Sequence, residues 1–275
     1  MSSIRRTSSA EETSSGDTVK YLVSVKQVPG TNDVSVGEDG TLRRDGVTSV
    51  LNPYDEYALR KILSIRRDGD EVSVVTMGPH QAESALRRCL ELGADNAYLI
   101  TGKEFAGSDT WATSRVLSAF ITRFQCDADL IVFGRQATDG DTGQVPYETA
   151  GMLDVQQFAY VSELKLSEDG FIGVQDYGDE IRTVKIPHGS VVAFDQADIN
   201  GAFVTIDGWL AARNMEIETI DRVGLGLGLY SVGLKGSKTR IVSTQSVSVT
   251  RRNRKVEIND PAYAAEFIIG QLEGA

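Results

Sequence analysis

The chain has two cysteines and two histidines in 275 residues, and that scarcity excludes much at once. Cys89 and Cys126 stand in unrelated contexts. No CxxC pair and no Cys–His or Glu–His spacing appears, so neither a zinc site nor a disulfide framework is expected. The residues predict a reduced, cytoplasmic chain without metal. Long apolar runs are also missing. Nothing approaches the run of about 18 apolar residues that a membrane-spanning helix needs, so no membrane insertion is expected. Positive charge is in deficit: the formal net charge is −11, which argues against a nucleic-acid or anionic-membrane partner. A single phosphate pocket remains compatible with it. A GxGxxG fingerprint is lacking, as is a nucleophile elbow for a Ser–His–Asp arrangement, so no catalytic residue is nominated.

What is present is ordinary for a globular chain: 41% hydrophobic and 24% charged residues. The first 20 residues, rich in Ser and Thr, lack the apolar core of a secretory signal and are expected to form a disordered extension. From Tyr21 the pattern changes. YLVSVKQV, EVSVVTMG, NAYLIT and ADLIVFG read as short, buried, β-branched strands. Amphipathic helices follow each. In the first, Asn52 is expected to cap, Pro53 to take the first position, and Asp55 and Glu56 to face the positive end of the dipole. The second is expected to close at Gly93, with Cys89 in its apolar face. Asp109 is expected to cap the third. This alternation predicts an α/β fold with a mostly parallel, doubly wound sheet.

SVVAFD, residues 190–195, is expected to return to that sheet. The segments between the fourth helix and that return, joined at Gly170 and Gly178, read as an antiparallel excursion. A helix is expected near Trp209 to Asn214. Residues 222–239, with five glycines, read as a loop or linker, and 240–249 as a strand. A capped helical arm beginning at Asp260 and Pro261 is expected to close the chain. The expected organisation is an extension over 1–20, a nucleotide-binding α/β domain over 21–221, and a linker and C-terminal arm over 222–275.

Ligands of doubly wound sheets sit at the carboxyl ends of the strands. Four segments here end there: Ser24 to Val28, Asn52-Pro53-Tyr54-Asp55, Met77-Gly78-Pro79, and Gly134 to Gln144. The last is the richest. Gly134, Gly140 and Gly143 permit close backbone approach, Thr138 and Thr142 offer hydroxyls, and the next helix presents free N–H groups. Arg135 can add a charge-assisted bond. Asp139 and Asp141 would repel a phosphate and suit caps or acceptors for ribose hydroxyls. The residues alone therefore leave two readings open, a nucleotide site or a plain strand–helix connection. His80, Glu56, Glu83 and Glu148 read as solvated surface groups, and Trp111 and Trp209 as packing residues.

Taken in order, VKQVPGT, DGVTSVLNPYDEYAL, VTMGP, CLELGAD and GRQATDGDTGQVPYE resemble the electron transfer flavoprotein beta subunit. The resemblance runs from about Tyr21 to about Val192 and can be followed more weakly to DPAYAAEFI. It implies a sheet of the adenine-nucleotide-binding type and a heterodimer with a flavin-bearing alpha subunit. It also implies electron transfer, rather than catalysis, between an acyl-CoA or other dehydrogenase, or NADH, and an acceptor. The implied cofactor contacts are Ser24, Asn52, Pro53, Tyr54, Asp55, Met77, Gly134, Arg135, Gln136, Ala137, Thr138, Asp139, Gly140, Asp141, Thr142, Gly143, Gln144 and Val145. One branch of the family binds AMP there and the electron-bifurcating branch binds FAD. The KQVP strand end, with Gly140 and Thr142 in the loop, favours FAD, with AMP as the alternative and Arg135 as the side chain to approach the flavin.

Two other classes compete. A non-redox adenine-nucleotide sensor would need neither flavin nor partner. An ATP-hydrolysing relative would need a glycine-rich loop after strand 1, where KQVPGTND stands. The chain also departs from the family. Pro146-Tyr147 stands where a Gly-Pro pair is usual, and Pro187-His188-Gly189-Ser190 inserts residues before the returning strand. QADINGAFV places Asp198 or Ile199 where a partner-recognition leucine is usual, which predicts an unusual redox partner.

Overall fold

The computed structural model describes residues 18–30, 35–36, 42–43, 49–196, 204–240, 242 and 260–273. The expected N-terminal extension, the QADINGAFV loop and the 240–249 strand fall mostly outside them.

β1 (Lys20–Ser24) leads to two short antiparallel pairs, β2 (Gln27–Pro29) with β5 (Ser49–Leu51) and β3 (Ser35–Val36) with β4 (Leu42–Arg43). Then follow α1 (Pro53–Ile65), β6 (Glu71–Met77), α2 (Glu83–Leu92), β7 (Asn96–Ile100), α3 (Thr110–Phe124), β8 (Leu130–Gly134) and α4 (Val145–Leu153). The excursion comprises β9 (Gln157–Ser167), β10 (Gly170–Asp176) and β11 (Ile181–Ile186). β12 (Ser190–Phe194), α5 (Ile206–Ala212), β13 (Ile217–Ile220), α6 (Gly233–Gly236) and α7 (Pro261–Glu273) complete the order.

Nine strands form one sheet in the order β11-β10-β9-β12-β8-β1-β6-β7-β13. From β9 to β13 neighbours run parallel; β10 and β11 are the antiparallel excursion. The chain winds outward from β1 through β6 to β7, then crosses back to β8 on the other side and continues to β12. The winding direction therefore reverses between β1 and β8, which makes that edge the switch point of the sheet.

β8 and β12 are buried at all five positions, as strands covered on both faces must be. On one face, Leu59 and Ile62 of α1 pack with Leu86 and Cys89 of α2. On the other, Val116 and Phe120 of α3 pack with Ala150 of α4. Cys89 is fully buried and its thiol is pushed well up by burial, so it is a core residue, as its place in the helix pattern predicts. Asp109 caps α3, accepting from the Ala112 N–H at 2.9 Å, and α2 closes at Gly93.

Residues 222–240 differ from a free linker. They have little regular structure, but Leu225 and Val232 are buried in the α3 face of the core. The compact unit runs to Val242. α7 belongs to the following unit and begins as the sequence predicts, with the Ala262 N–H donating to Asp260 Oδ1 at 3.1 Å. The Pro187–Ser190 insertion forms a turn pinned by the Gly189 N–H, which donates to the Asp129 carbonyl at 2.7 Å just before β8. No helix among the described residues is long and apolar enough to cross a membrane.

Candidate functional site

At the switch point the start of α1 is pressed onto the end of β8. Asp55, in the first turn of α1, is buried and bridges the two strand ends. Its Oδ2 accepts the Lys26 N–H at 2.8 Å, and its Oδ1 accepts the Gly134 N–H at 3.2 Å. Burial pushes its carboxyl up to about 7, against the lowering pull of Asn52 and of those two backbone donors. Gly134 is required here by space. A Cβ on it would lie 2.5 Å from Asp55 Oδ1 and 2.6 Å from the Tyr54 carbonyl carbon.

Asn52 precedes α1 but does not cap it with its side chain, contrary to the helix-start reading. It is fully buried and turned across the site instead. Its Nδ2 donates to the Gln136 carbonyl at 2.9 Å, and its Oδ1 accepts the Thr138 N–H at 3.2 Å. The pairing of β2 with β5 delivers it there, since its own N–H donates to the Lys26 carbonyl at 2.8 Å. Lys26 supplies a second tie, reaching Asp139 Oδ1 at 2.6 Å. The Asp139 side chain is only 6% exposed, so one of the two acids expected to repel a phosphate is neutralised.

The rest of the loop is open. Thr138, Gly140, Asp141, Thr142 and Gln144 are exposed, and nothing lies within 4 Å of a Cβ built on Gly140. Asp141 adopts φ +52° and accepts from the Gln136 side chain; Gly143 adopts φ +61°. α4 then begins at Val145 with Pro146 in its first turn, so the Pro-Tyr departure leaves the helix start in place directly behind the loop.

The structure thus brings Asn52, Asp55 and Gly134 to Asp139 into one hydrogen-bonded unit, with Ser24 at the adjacent end of β1. Met77 ends β6, on the far side of β1 from Gly134. Pro53 and Tyr54 form the first turn of α1. Arg135 donates from Nη1 to Asp195 Oδ1 at 2.7 Å, and its guanidinium lies 5.5 Å from the centre of the Tyr160 ring. The nearby Tyr147 phenol is pushed up to about 12, by burial first and then by Tyr160 and Asp195.

Two surface assignments are corrected. Glu56 is buried and pairs with Arg60 and, at 3.4 Å, with Arg88 of α2. Glu148 accepts from Thr110 and Ser114 of α3, at 3.2 Å each. His80 is exposed beside Glu83 at 3.5 Å. Among the described residues no cluster of His, Cys, Asp and Glu is suited to a metal ion. A groove of about 440 Å³ lined by Trp111, Arg115, Met152 and Leu227 shares no residue with the strand-end site. The converging polar groups, not that groove, mark the candidate site.

Asp195 and Tyr160 are not marked as site residues by the sequence, and Lys26 only as part of the Ser24 to Val28 segment. Asp195 directly follows the end of β12 and Lys26 lies two residues past the end of β1, and those positions were the available signal. For Tyr160 there was none.

Comparison with known proteins identifies the family. Residues 39–223 match the electron transfer flavoprotein domain family. The chain is 41% identical over 239 residues to the electron transfer flavoprotein subunit beta of Thermoanaerobacterium thermosaccharolyticum, covering 85% of this chain and 90% of that one. It is 36% identical over 226 residues to the caffeyl-CoA reductase-Etf complex subunit CarD of Acetobacterium woodii, covering 81% and 86%. It is 35% identical over 271 residues to the protein FixA of Azotobacter vinelandii, covering 91% and 93%. With the family match running over residues 39–223, which takes in the loop after β8, and relatives matched over most of the chain, the chain belongs to the electron transfer flavoprotein family, as a beta-type electron-transfer subunit.

Proposed function

We propose that the switch-point site holds the adenylate half of FAD, and that the chain works as the beta subunit of a heterodimer with a flavin-bearing alpha subunit. One observation carries the reading. The loop after β8 is pinned by Asn52 and Lys26 from Gln136 to Asp139 while its outer part, Gly140 to Thr142, stays open. A pinned segment fixes backbone N–H groups and hydroxyls before a ligand arrives, which lowers the ordering cost of binding. The open part, with the bare Gly140, leaves room for a ligand larger than AMP, and AMP is the alternative occupant. The proposed contacts remain Ser24, Asn52 to Asp55, Met77 and Gly134 to Val145.

The bound flavin supplies the electron-transfer chemistry; the residues named hold and orient it. The proposed partners on either side are an acyl-CoA or other dehydrogenase, or NADH, and a separate acceptor. Relatives named as subunits of a caffeyl-CoA reductase complex and of an acryloyl-CoA reductase support that setting. Two free cysteines, one buried and one exposed, fit the proposed cytoplasmic location.

Co-expression with candidate alpha subunits, followed by acid release and chromatography, tests the reading. Two FAD per heterodimer and no AMP is the expected result. One FAD with one AMP would keep the heterodimer and replace the occupant. An adenine nucleotide bound without flavin or partner would instead make the chain a non-redox nucleotide module.

A further inference from the structure

Tyr160 stands in β9 with φ +53°, a left-handed conformation that a residue with a Cβ enters only at a cost. β9 is irregular on both sides of it. Its register with β12 skips between Val192 and Phe194, and its register with β10 skips between Val174 and Gln175. The chain bulges where Tyr160 lies, and Gln175 Nε2 steadies the bulge by donating to the Ala159 carbonyl at 2.7 Å.

The same bulge fixes Asp195. The Asp195 N–H donates to the Val161 carbonyl at 3.2 Å, one residue beyond Tyr160. Arg135 closes the circle from the other side. Its N–H donates to the Phe194 carbonyl at 2.8 Å, its Nη1 donates to Asp195 Oδ1 at 2.7 Å, and its guanidinium lies 5.5 Å from the Tyr160 ring centre. Tyr177 stands beside Tyr160, ring centres 5.3 Å apart. Arg135 is thereby held by an ion pair on one side and an aromatic ring on another. Among the described residues nothing accepts from its Nε or Nη2, and the side chain is 41% exposed. A strained backbone that persists only because its surroundings over-determine it is the kind of feature found at binding sites.

We propose that Tyr160 and Asp195 are positioning residues for Arg135, holding its guanidinium so that its remaining donors serve an anionic group of the ligand at the 134–145 loop. This rests on the nucleotide reading of that loop. The bulge is the device: it places the ring and the carboxylate together against one arginine.

The test uses Tyr160→Phe, Tyr160→Gly, Asp195→Asn and Arg135→Lys. Side-chain Nε–H resonances of the full chain report the order of Arg135, whose signal is the one lost in Arg135→Lys. Calorimetry on the complex with its alpha subunit, stripped of cofactor, gives the affinities for AMP and FAD, and melting curves establish that each variant folds. Tyr160→Phe is expected to match the wild type in both readouts. Tyr160→Gly and Asp195→Asn are expected to lose Arg135 order and to bind the ligand about tenfold more weakly. An Arg135 signal that stays ordered in both overturns the proposal, and so does an unchanged affinity once that order is lost. If the wild-type complex binds neither ligand, the nucleotide reading fails and takes the ligand half of the proposal with it. The Arg135 signal then still decides the positioning half.

Discussion

Asp55 and Gly134 touch through a 3.2 Å hydrogen bond from backbone to carboxylate, and the contact exists because Gly134 has no Cβ. An added methyl would meet Asp55 Oδ1 at 2.5 Å and the backbone of Tyr54 at 2.6 Å. Backbone cannot step aside as a flexible side chain can. Gly134→Ala is therefore expected to push α1 off β8 and to lower stability by about 1–3 kcal/mol. The midpoint of urea unfolding measures this. An unshifted midpoint would show that the α1–β8 contact is not tight.

Asn52→Ala is expected to act on the loop more than on the sheet. It removes two hydrogen bonds, to the Gln136 carbonyl and from the Thr138 N–H, at a fully buried position. Buried groups left without partners cost about 1–3 kcal/mol. Hydrogen exchange at the Thr138 amide should accelerate well beyond that of amides in β8. Equal acceleration in both places would mean that Asn52 supports the whole domain rather than the loop.

Asp55 makes stability depend on pH in an uncommon direction. Its folded-state carboxyl holds its proton up to about 7, because burial outweighs the Asn52, Lys26 and Gly134 donors; unfolded, it loses that proton in the ordinary carboxylate range. The folded state therefore binds more protons across the interval between. The stabilisation is full below the ordinary carboxylate value and is lost as pH rises through about 7. Urea unfolding at about pH 5 and about pH 8 should show the wild type losing stability across that span by more than Asp55→Asn does. Lys26 is the charged group that acts on this carboxyl. Identical pH dependence in both proteins would assign the effect elsewhere.

The strands and most helices were legible because their signals are local. Apolar, β-branched runs such as those of β1 and β8 mark strands buried on both faces, while Gly93 and Asp109 mark helix ends by their own chemistry. The carboxyl-end segments were legible as a group for the same reason. What failed depended on distant partners. Asn52 has the residue type of a cap, yet two groups more than 80 positions away in sequence outbid the helix for its side chain. Glu56 has the spacing of a solvated first-turn acid, and only the approach of α2 with Arg88 covers it. Residues 222–240 show no periodicity, so their packing on α3 through Leu225 and Val232 could not be read from pattern. A bulge such as that at Tyr160 leaves no local trace, since it is set by the registers of two neighbouring strands.

Lys26 offers the clearest test of local charge. Its ammonium sits 2.6 Å from Asp139, whose side chain is only 6% exposed, inside a loop proposed to face a phosphate. The chain as a whole carries −11, so an anion reaches this loop only if its nearby carboxylates are offset. Lys26→Met removes this cation from the loop and should weaken AMP binding by about tenfold or more at low salt, less at high salt because the lysine is partly exposed. Asp139→Asn alone should cost far less, since it removes a negative charge while leaving the cation. The double variant should then bind better than Lys26→Met, and that inequality separates charge compensation from simple loss of packing. Calorimetric affinities of the four proteins decide it. If Lys26→Met and the double variant bind equally weakly, the lysine acts by holding the loop rather than by cancelling Asp139.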